Sequence, residues 1–247
     1  MDLRRAEAER GELRAPAPEP DARARGLAGL RALWPVVLGA LAFRAACYAV
    51  MTAAAVWNER RPAPPLPDLV LSAVPYVDWV ARTNYVLWLV AYVPLALVLL
   101  WRAPRRFARY TVTGGLVSLA RGATLVLTGL GAPPPQVGGV GIAGHASGEV
   151  FRSLMSPWQV FADGSMRAYL TQDLFFSGHT ATTLLLLLYV WRSPPLRAAA
   201  LVAHVLVVAS VFLSHLHYGI DVVGAYAVTF AIFALREGWP ARAGDGA

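Results

Sequence analysis

Residues 175–214 read FFSGHTATTLLLLLYVWRSPPLRAAALVAHVLVVASVFLS. A bilayer core about 30 Å thick is crossed by roughly 20 helical residues. Two apolar runs of that order lie here, 175–192 and 196–214, parted by Arg192-Ser-Pro-Pro-Leu-Arg197. Pro194 and Pro195 interrupt the helical hydrogen-bond ladder, and the flanking arginines mark a turn in water. The stretch is therefore expected to form a tight hairpin of two membrane spans.

Four further runs of the same kind occur at about 33–57, 84–101, 110–130 and 217–236. The composition agrees with them, since 57% of the 247 residues are hydrophobic and only 15% are charged, unlike a soluble domain. The expected fold is an all-α integral membrane protein of six transmembrane helices. Its membrane domain spans 33–236, flanked by a disordered cytoplasmic tail at 1–32 and a short cytoplasmic tail at 237–247. The first apolar run begins only near Leu33 and is too long for a signal peptide, so it is read as the first span.

A net charge of +7 raises the question of nucleic acid, because basic patches neutralise phosphates. The distribution of the charge argues against that partner. All 22 basic residues are Arg, and 15 of them fall in the two tails and in the loops around 102–109 and 192–197. This is the asymmetry that orients multi-span proteins. The termini are then cytoplasmic, and the loops at 58–83 and 131–174 face the periplasm, lumen or exterior. Within the second loop, residues 150–160 read as a short interfacial helix. Cys47 is the sole cysteine, which excludes an internal disulfide or a cysteine cluster.

Two polar clusters meet the outer face. One is Asp173-Leu-Phe-Phe-Ser-Gly-His-Thr180, at the start of the fourth span; the other is His217-Tyr-Gly-Ile-Asp221, at the start of the last. His217 and Asp221 are four residues apart, so a helix puts them on one face. There the carboxylate can hold one imidazole nitrogen and leave the other free as nucleophile or base. With His179 beside it, one imidazole can attack phosphorus while the other protonates the leaving oxygen. A site at the membrane surface points to a lipid with a phosphorylated headgroup.

His215-x-His217 spacing also occurs in metal sites. A metal site could be built from His179, His215, His217 and Asp221, but no further ligand set accompanies them, so the preferred reading is metal-free and needs no cofactor. His145 and His204 read as structural. Two arginines lie inside spans, where a charge costs about 2.5–3.5 kcal/mol on insertion scales. Arg121 ends on the outer side and suits a phosphate oxygen; Arg44 reads as half of a structural ion pair.

These segments resemble the sphingomyelin synthase family, the C-terminal type of the lipid phosphate phosphatase superfamily. Asp173, Phe176, Ser177, Gly178, His179 and Thr180 match one motif; His217, Tyr218, Asp221, Val222, Ala225 and Tyr226 are similar to the last. Pro64, Pro65, Leu66, Pro67 and Asp68 match an early one, and Arg105, Arg106, Arg121 and Thr124 another. The phosphatase branch instead shows a Lys in its first motif and an Arg six residues before the nucleophilic His. This chain has no Lys, and that position is Val211.

The resemblance implies a lipid phosphatase-like bundle of six helices and a phosphohistidine route. In that route His217 is the nucleophile, Asp221 orients it, and His179 serves the leaving and accepting alcohols. It implies transfer of a phosphocholine or phosphoethanolamine headgroup from a glycerophospholipid donor to ceramide or a similar lipid alcohol. Arg121, Asp173, Ser177, Tyr218, Asp68 and Glu149 are the implied substrate-site residues, Glu149 and Asp173 as candidates for orienting His179. Two alternatives stay open: a hydrolase that uses water as acceptor, and a transporter or scaffold without catalysis. Oligomer formation is compatible with either.

Overall fold

The computed structural model describes residues 22–134, 145–156 and 170–238, with side chains from residue 31 onward. The described residues form eight helices and no strand. They are α1 (Ala22–Asn58), α2 (Leu69–Ala73), α3 (Asp78–Arg102), α4 (Pro104–Thr128), α5 (Ser147–Met155), α6 (Gly178–Val190), α7 (Pro194–Leu213) and α8 (Gly219–Glu237). Five of them are long and apolar enough to cross a membrane: α1 over Arg31–Asn58, then α3, α4, α7 and α8.

Local chemistry sets the ends. Pro104 and Pro194 open α4 and α7 at the first helical position, where the missing N–H has no helical partner to lose. Gly129, at φ 55°, closes α4 in the left-handed conformation that a residue without Cβ adopts at little cost. Asp78 and Arg102 complement the dipole at the two ends of α3.

Several boundaries differ from the sequence reading: α3 and α4 each start six residues earlier than their apolar runs, so that only Ala103 separates them where a loop at 102–109 was expected, and three further differences bear on the site. Helix α1 starts at Ala22, because the Ala-, Leu- and Arg-rich residues ahead of the apolar run are good helix formers; the expected tail up to residue 21 lies outside the described residues. The expected interfacial helix appears as α5, Ser147–Met155, and residues 157–160 lie outside the described ones. The fourth span is the largest change. Its helix, α6, has 13 residues, about 20 Å at 1.5 Å per residue, because residues 175–177 leave the helix.

Helix α6 is the core of the molecule. Nine of its residues are buried, and it packs against α7, α8, α4 and α3. Leu185, Leu186 and Val190 meet Phe107, Tyr110 and Val117 of α4 and Phe233 of α8 in one cluster. Helix α1 lies along α4, where Gly122 lets the backbones close up: a Cβ there would stand 3.1 Å from the Met51 Cα. The C-terminal end of α6 is tied by Tyr189, whose hydroxyl donates to Glu237 Oε1 (2.6 Å) and shares a hydrogen bond with Thr113 Oγ1 (2.7 Å). Arg109 pairs with the same Glu237.

Candidate active site

The short length of α6 leaves residues 170–177 as irregular chain within the bundle. Non-helical backbone at membrane depth is tolerated only where protein satisfies its polar groups, and that is what the neighbouring side chains do here. The Gln172 carbonyl accepts from Asn58 Nδ2 (2.9 Å), that of Asp173 from Arg121 Nη2 (3.0 Å), that of Phe175 from Thr124 Oγ1 (2.9 Å) and that of Phe176 from Arg121 Nε (2.6 Å). On the donor side, the N–H groups of Thr171 and Gln172 reach Glu59 (2.8 and 2.7 Å), and the Ser177 N–H reaches the Asp221 carbonyl (3.1 Å).

The Ser177 side chain then caps α6, accepting from the Thr180 N–H and hydroxyl. This sets His179 in the first turn, facing the start of α8. The ring centroids of His179 and His217 are 6.3 Å apart. His217 Nδ1 lies 3.4 Å from Asp221 Oδ2, an oxygen that also accepts from the Tyr218 N–H (2.9 Å). His217 is 2% exposed and Asp221 is fully buried. The other His217 nitrogen, Nε2, is left as the one that can act on a ligand. His179 Nε2, His217 Nδ1 and Asp221 Oδ1 are buried with no hydrogen-bond partner among the described residues, so the 3.4 Å approach of Asp221 to His217 is a close contact of the two groups and not a formed hydrogen bond.

The other expected site residues are placed as follows. Arg121 is spent on the irregular segment: besides its two carbonyl bonds, its Nη1 pairs with Asp173 Oδ1 (2.9 Å). It therefore holds the approach to His179, and Asp173 holds Arg121. Asp68 accepts from the Val70 and Leu71 N–H groups at the start of α2 and from the Gly219 N–H at the start of α8. Tyr218 is 1% exposed; its hydroxyl accepts from the Leu66 N–H (3.0 Å) and donates to Gly131 O (2.9 Å). These two residues lace the segments around 66–71 and 131 to the turn that carries His217. Glu149 is exposed on α5, which packs on α1 through Val150 and Val56.

His204 has both nitrogens partnered, by Thr183 Oγ1 (2.8 Å) and by the Tyr226 hydroxyl (2.6 Å). His145 offers its backbone carbonyl to Arg60. Arg44 meets an aromatic face where an acidic partner was expected: its guanidinium lies 5.9 Å from the Tyr110 ring centroid. His215 turns away from the His pair toward the carbonyls of Pro134 and Val74. Among the described residues no group of three or more His, Cys, Asp or Glu is disposed to hold a metal.

Two contributors escaped the sequence reading. Glu59, 9% exposed, anchors residues 171–172; burial pushes its carboxyl above the ordinary value, and the Thr171 and Gln172 donors pull it back. Trp88 of α3 lies 5.0 Å from the His179 ring and is flanked by Tyr85 (5.3 Å) and Tyr92 (4.6 Å), forming an aromatic wall. Glu59 stands next to the span end, where an acidic residue reads as solvated, and the 85–88–92 spacing reads as ordinary helix packing.

Residues 172–237 match the family model for the PAP2 superfamily C-terminal domain. The chain is also similar to sphingomyelin synthase-related protein 1 of Mus musculus, 28% identical over 177 residues, and to that of Homo sapiens, 27% identical over 177 residues. Each match takes in 69% of this chain but 37% and 43% of those relatives, so the chain spans about two fifths of their length. The segment matched by the family model contains both histidines, Asp221 and the whole of α6. Residues 172–237 are thus similar to the C-terminal domain of the PAP2 superfamily, and the chain as a whole shows a more distant likeness to the sphingomyelin synthase-related proteins.

Proposed function

We propose that this membrane protein is a lipid phosphotransferase. It moves a phosphocholine or phosphoethanolamine headgroup from a glycerophospholipid to ceramide or a similar lipid alcohol, on the membrane face opposite its cytoplasmic termini. The observation that carries this reading is the facing of His179 and His217, with Asp221 beneath His217, at the sunken end of α6.

Asp221 stands 3.4 Å from Nδ1 of His217, near enough to take its N–H as the site closes on a donor, and the lone pair on Nε2 then attacks the donor's phosphorus. The P–O bond to diacylglycerol breaks as His179 gives that oxygen a proton. His179 then takes the proton of the acceptor hydroxyl. The acceptor oxygen attacks phosphorus, the P–N bond breaks, and His217 is regenerated. The aromatic wall and the buried turn keep bulk water from the phosphohistidine, which favours a lipid alcohol as acceptor.

The test is transfer from headgroup-labelled phospholipid in vesicles with and without ceramide. Both His179→Ala and His217→Ala are expected to lower transfer by at least about 1,000-fold, the scale of losing a member of a catalytic unit, at unchanged expression. Retained transfer in either variant removes the assignment. Release of free headgroup phosphate irrespective of ceramide makes the protein a hydrolase instead.

A further inference from the structure

The C-terminus of α7 closes with paired hydrogen bonds, His215 N–H to Phe212 O (3.0 Å) and Leu216 N–H to Val211 O (3.1 Å). The residue in the left-handed position of such a helix end is usually glycine. Here it is His215, at φ 47° and 6% exposed. A side chain kept at a position that favours glycine is informative only if it does something, and this one does. Its Nδ1 lies 3.1 Å from Pro134 O and its Nε2 3.0 Å from Val74 O.

A carbonyl oxygen accepts and never donates. Both contacts are hydrogen bonds only when both ring nitrogens carry a proton. The neutral ring has one N–H and one lone pair, so one contact would set lone pair against lone pair. We propose that His215 is a positioning residue which, as an imidazolium, staples the segment before α3 and the segment after α4 to the turn that carries His217. That His217 is the group so positioned rests on the phosphotransfer proposed above.

The surroundings leave this role to His215. Tyr76, on the segment before α3, meets the ring edge-on at 5.6 Å between centroids. Residues 129–134 and 211–214 contain no ionisable side chain. On the α8 side, His217 and Asp221 face each other and Asp68 is held by the Gly219 N–H; Asp78 pairs with Arg82. The stapled segments also carry the bonds of Val77 N–H to Leu213 O (2.8 Å) and of Tyr218 to Gly131 O. Loss of one proton from His215 therefore frees one side of a layer that touches the His217 turn.

Hydrogen exchange of the full chain in nanodiscs tests the staple, at about pH 5.5 and about pH 8, on either side of an ordinary imidazole, with intrinsic exchange rates divided out. In the wild type, peptides covering 70–77 and 129–134 are expected to be at least about tenfold better protected at the lower pH, the scale of one hydrogen bond to a charged donor. In His215→Gln the pH difference is expected to vanish with protection low at both values. In His215→Arg, which keeps two donors, it is expected to stay high at both. Wild-type protection that does not change with pH, or the same change in His215→Gln, overturns the staple.

If neither variant folds, the ring nitrogen resonances of the wild type decide. Two N–H signals at the lower pH support the staple, and a single one at both values overturns it. Turnover reads the positioning role: His215→Gln is expected to lower kcat about tenfold with KM within about twofold. Unchanged kcat alongside lost protection overturns that role while phosphotransfer stands. A wild type without transfer activity removes the phosphotransfer reading and leaves the exchange experiment intact.

Discussion

Arg121 is 5% exposed, and each of its three guanidinium nitrogens is engaged within residues 173–176. Lysine offers one nitrogen on a flexible stem and cannot reproduce that fork. Arg121→Lys is therefore expected to lower headgroup transfer by at least about tenfold. Arg121→Ala, which leaves Asp173 and two carbonyls unpartnered, should cost about 3–5 kcal/mol, read as a drop in thermal midpoint in detergent. Glu59→Gln puts an amide N–H against the Gln172 N–H and should cost about 1–3 kcal/mol in the same assay, with transfer falling alongside because the anchored segment leads to His179. The approach of His217 to Asp221 was legible because the two stand four residues apart on one helix face, and that of His179 because both segments open apolar runs at the same end. Arg121 and Glu59 were legible only as charges near or inside a span. Their partners are backbone groups of a segment 52 to 113 residues away, and no local pattern marks those groups as exposed.

Among the elements, α6 and the Tyr189 anchor show where pattern reading ends. Every span was visible as an apolar run, and the hairpin turn at Pro194 stands where the Pro pair put it. The run 175–192, however, is apolar from end to end, and hydropathy cannot separate a helical Phe from one whose carbonyl is held by Arg121 or Thr124. Helix α2, at 5 residues, is too short to carry a period; it exists because Asp68 caps it. Tyr189 fixes the C-terminal end of α6 against Glu237 and Thr113, so it also sets how far His179 reaches toward α8. Tyr189→Phe removes a donor and an acceptor at once. It is expected to cost about 1–2 kcal/mol by thermal unfolding, with kcat reduced more than binding of the donor lipid, since the substrate is not touched.

At the scale of the whole molecule, four membrane-length helices pack around a helix that is about 10 Å shorter than α7, by the rise per residue. The shared anchor of Tyr189 and Glu237 at the C-terminal ends of α6 and α8 puts that deficit at the end where His179 and His217 meet. A membrane's hydrocarbon thickness differs by several ångströms between compartments, and proteins respond at a modest free-energy cost per ångström of mismatch. Under the phosphotransfer proposed above, a thicker membrane lengthens the descent of a headgroup to the His pair. Reconstitution into phosphatidylcholine vesicles of increasing acyl length is expected to show transfer falling as the chains lengthen, with the folded fraction held constant by thermal unfolding. Equal rates across the series would show that the lipid reaches the site without descending. With α6 short, the rate becomes a gauge of compartment: the same number of copies would work at different speeds in a thin and in a thick membrane, and trafficking alone would set output.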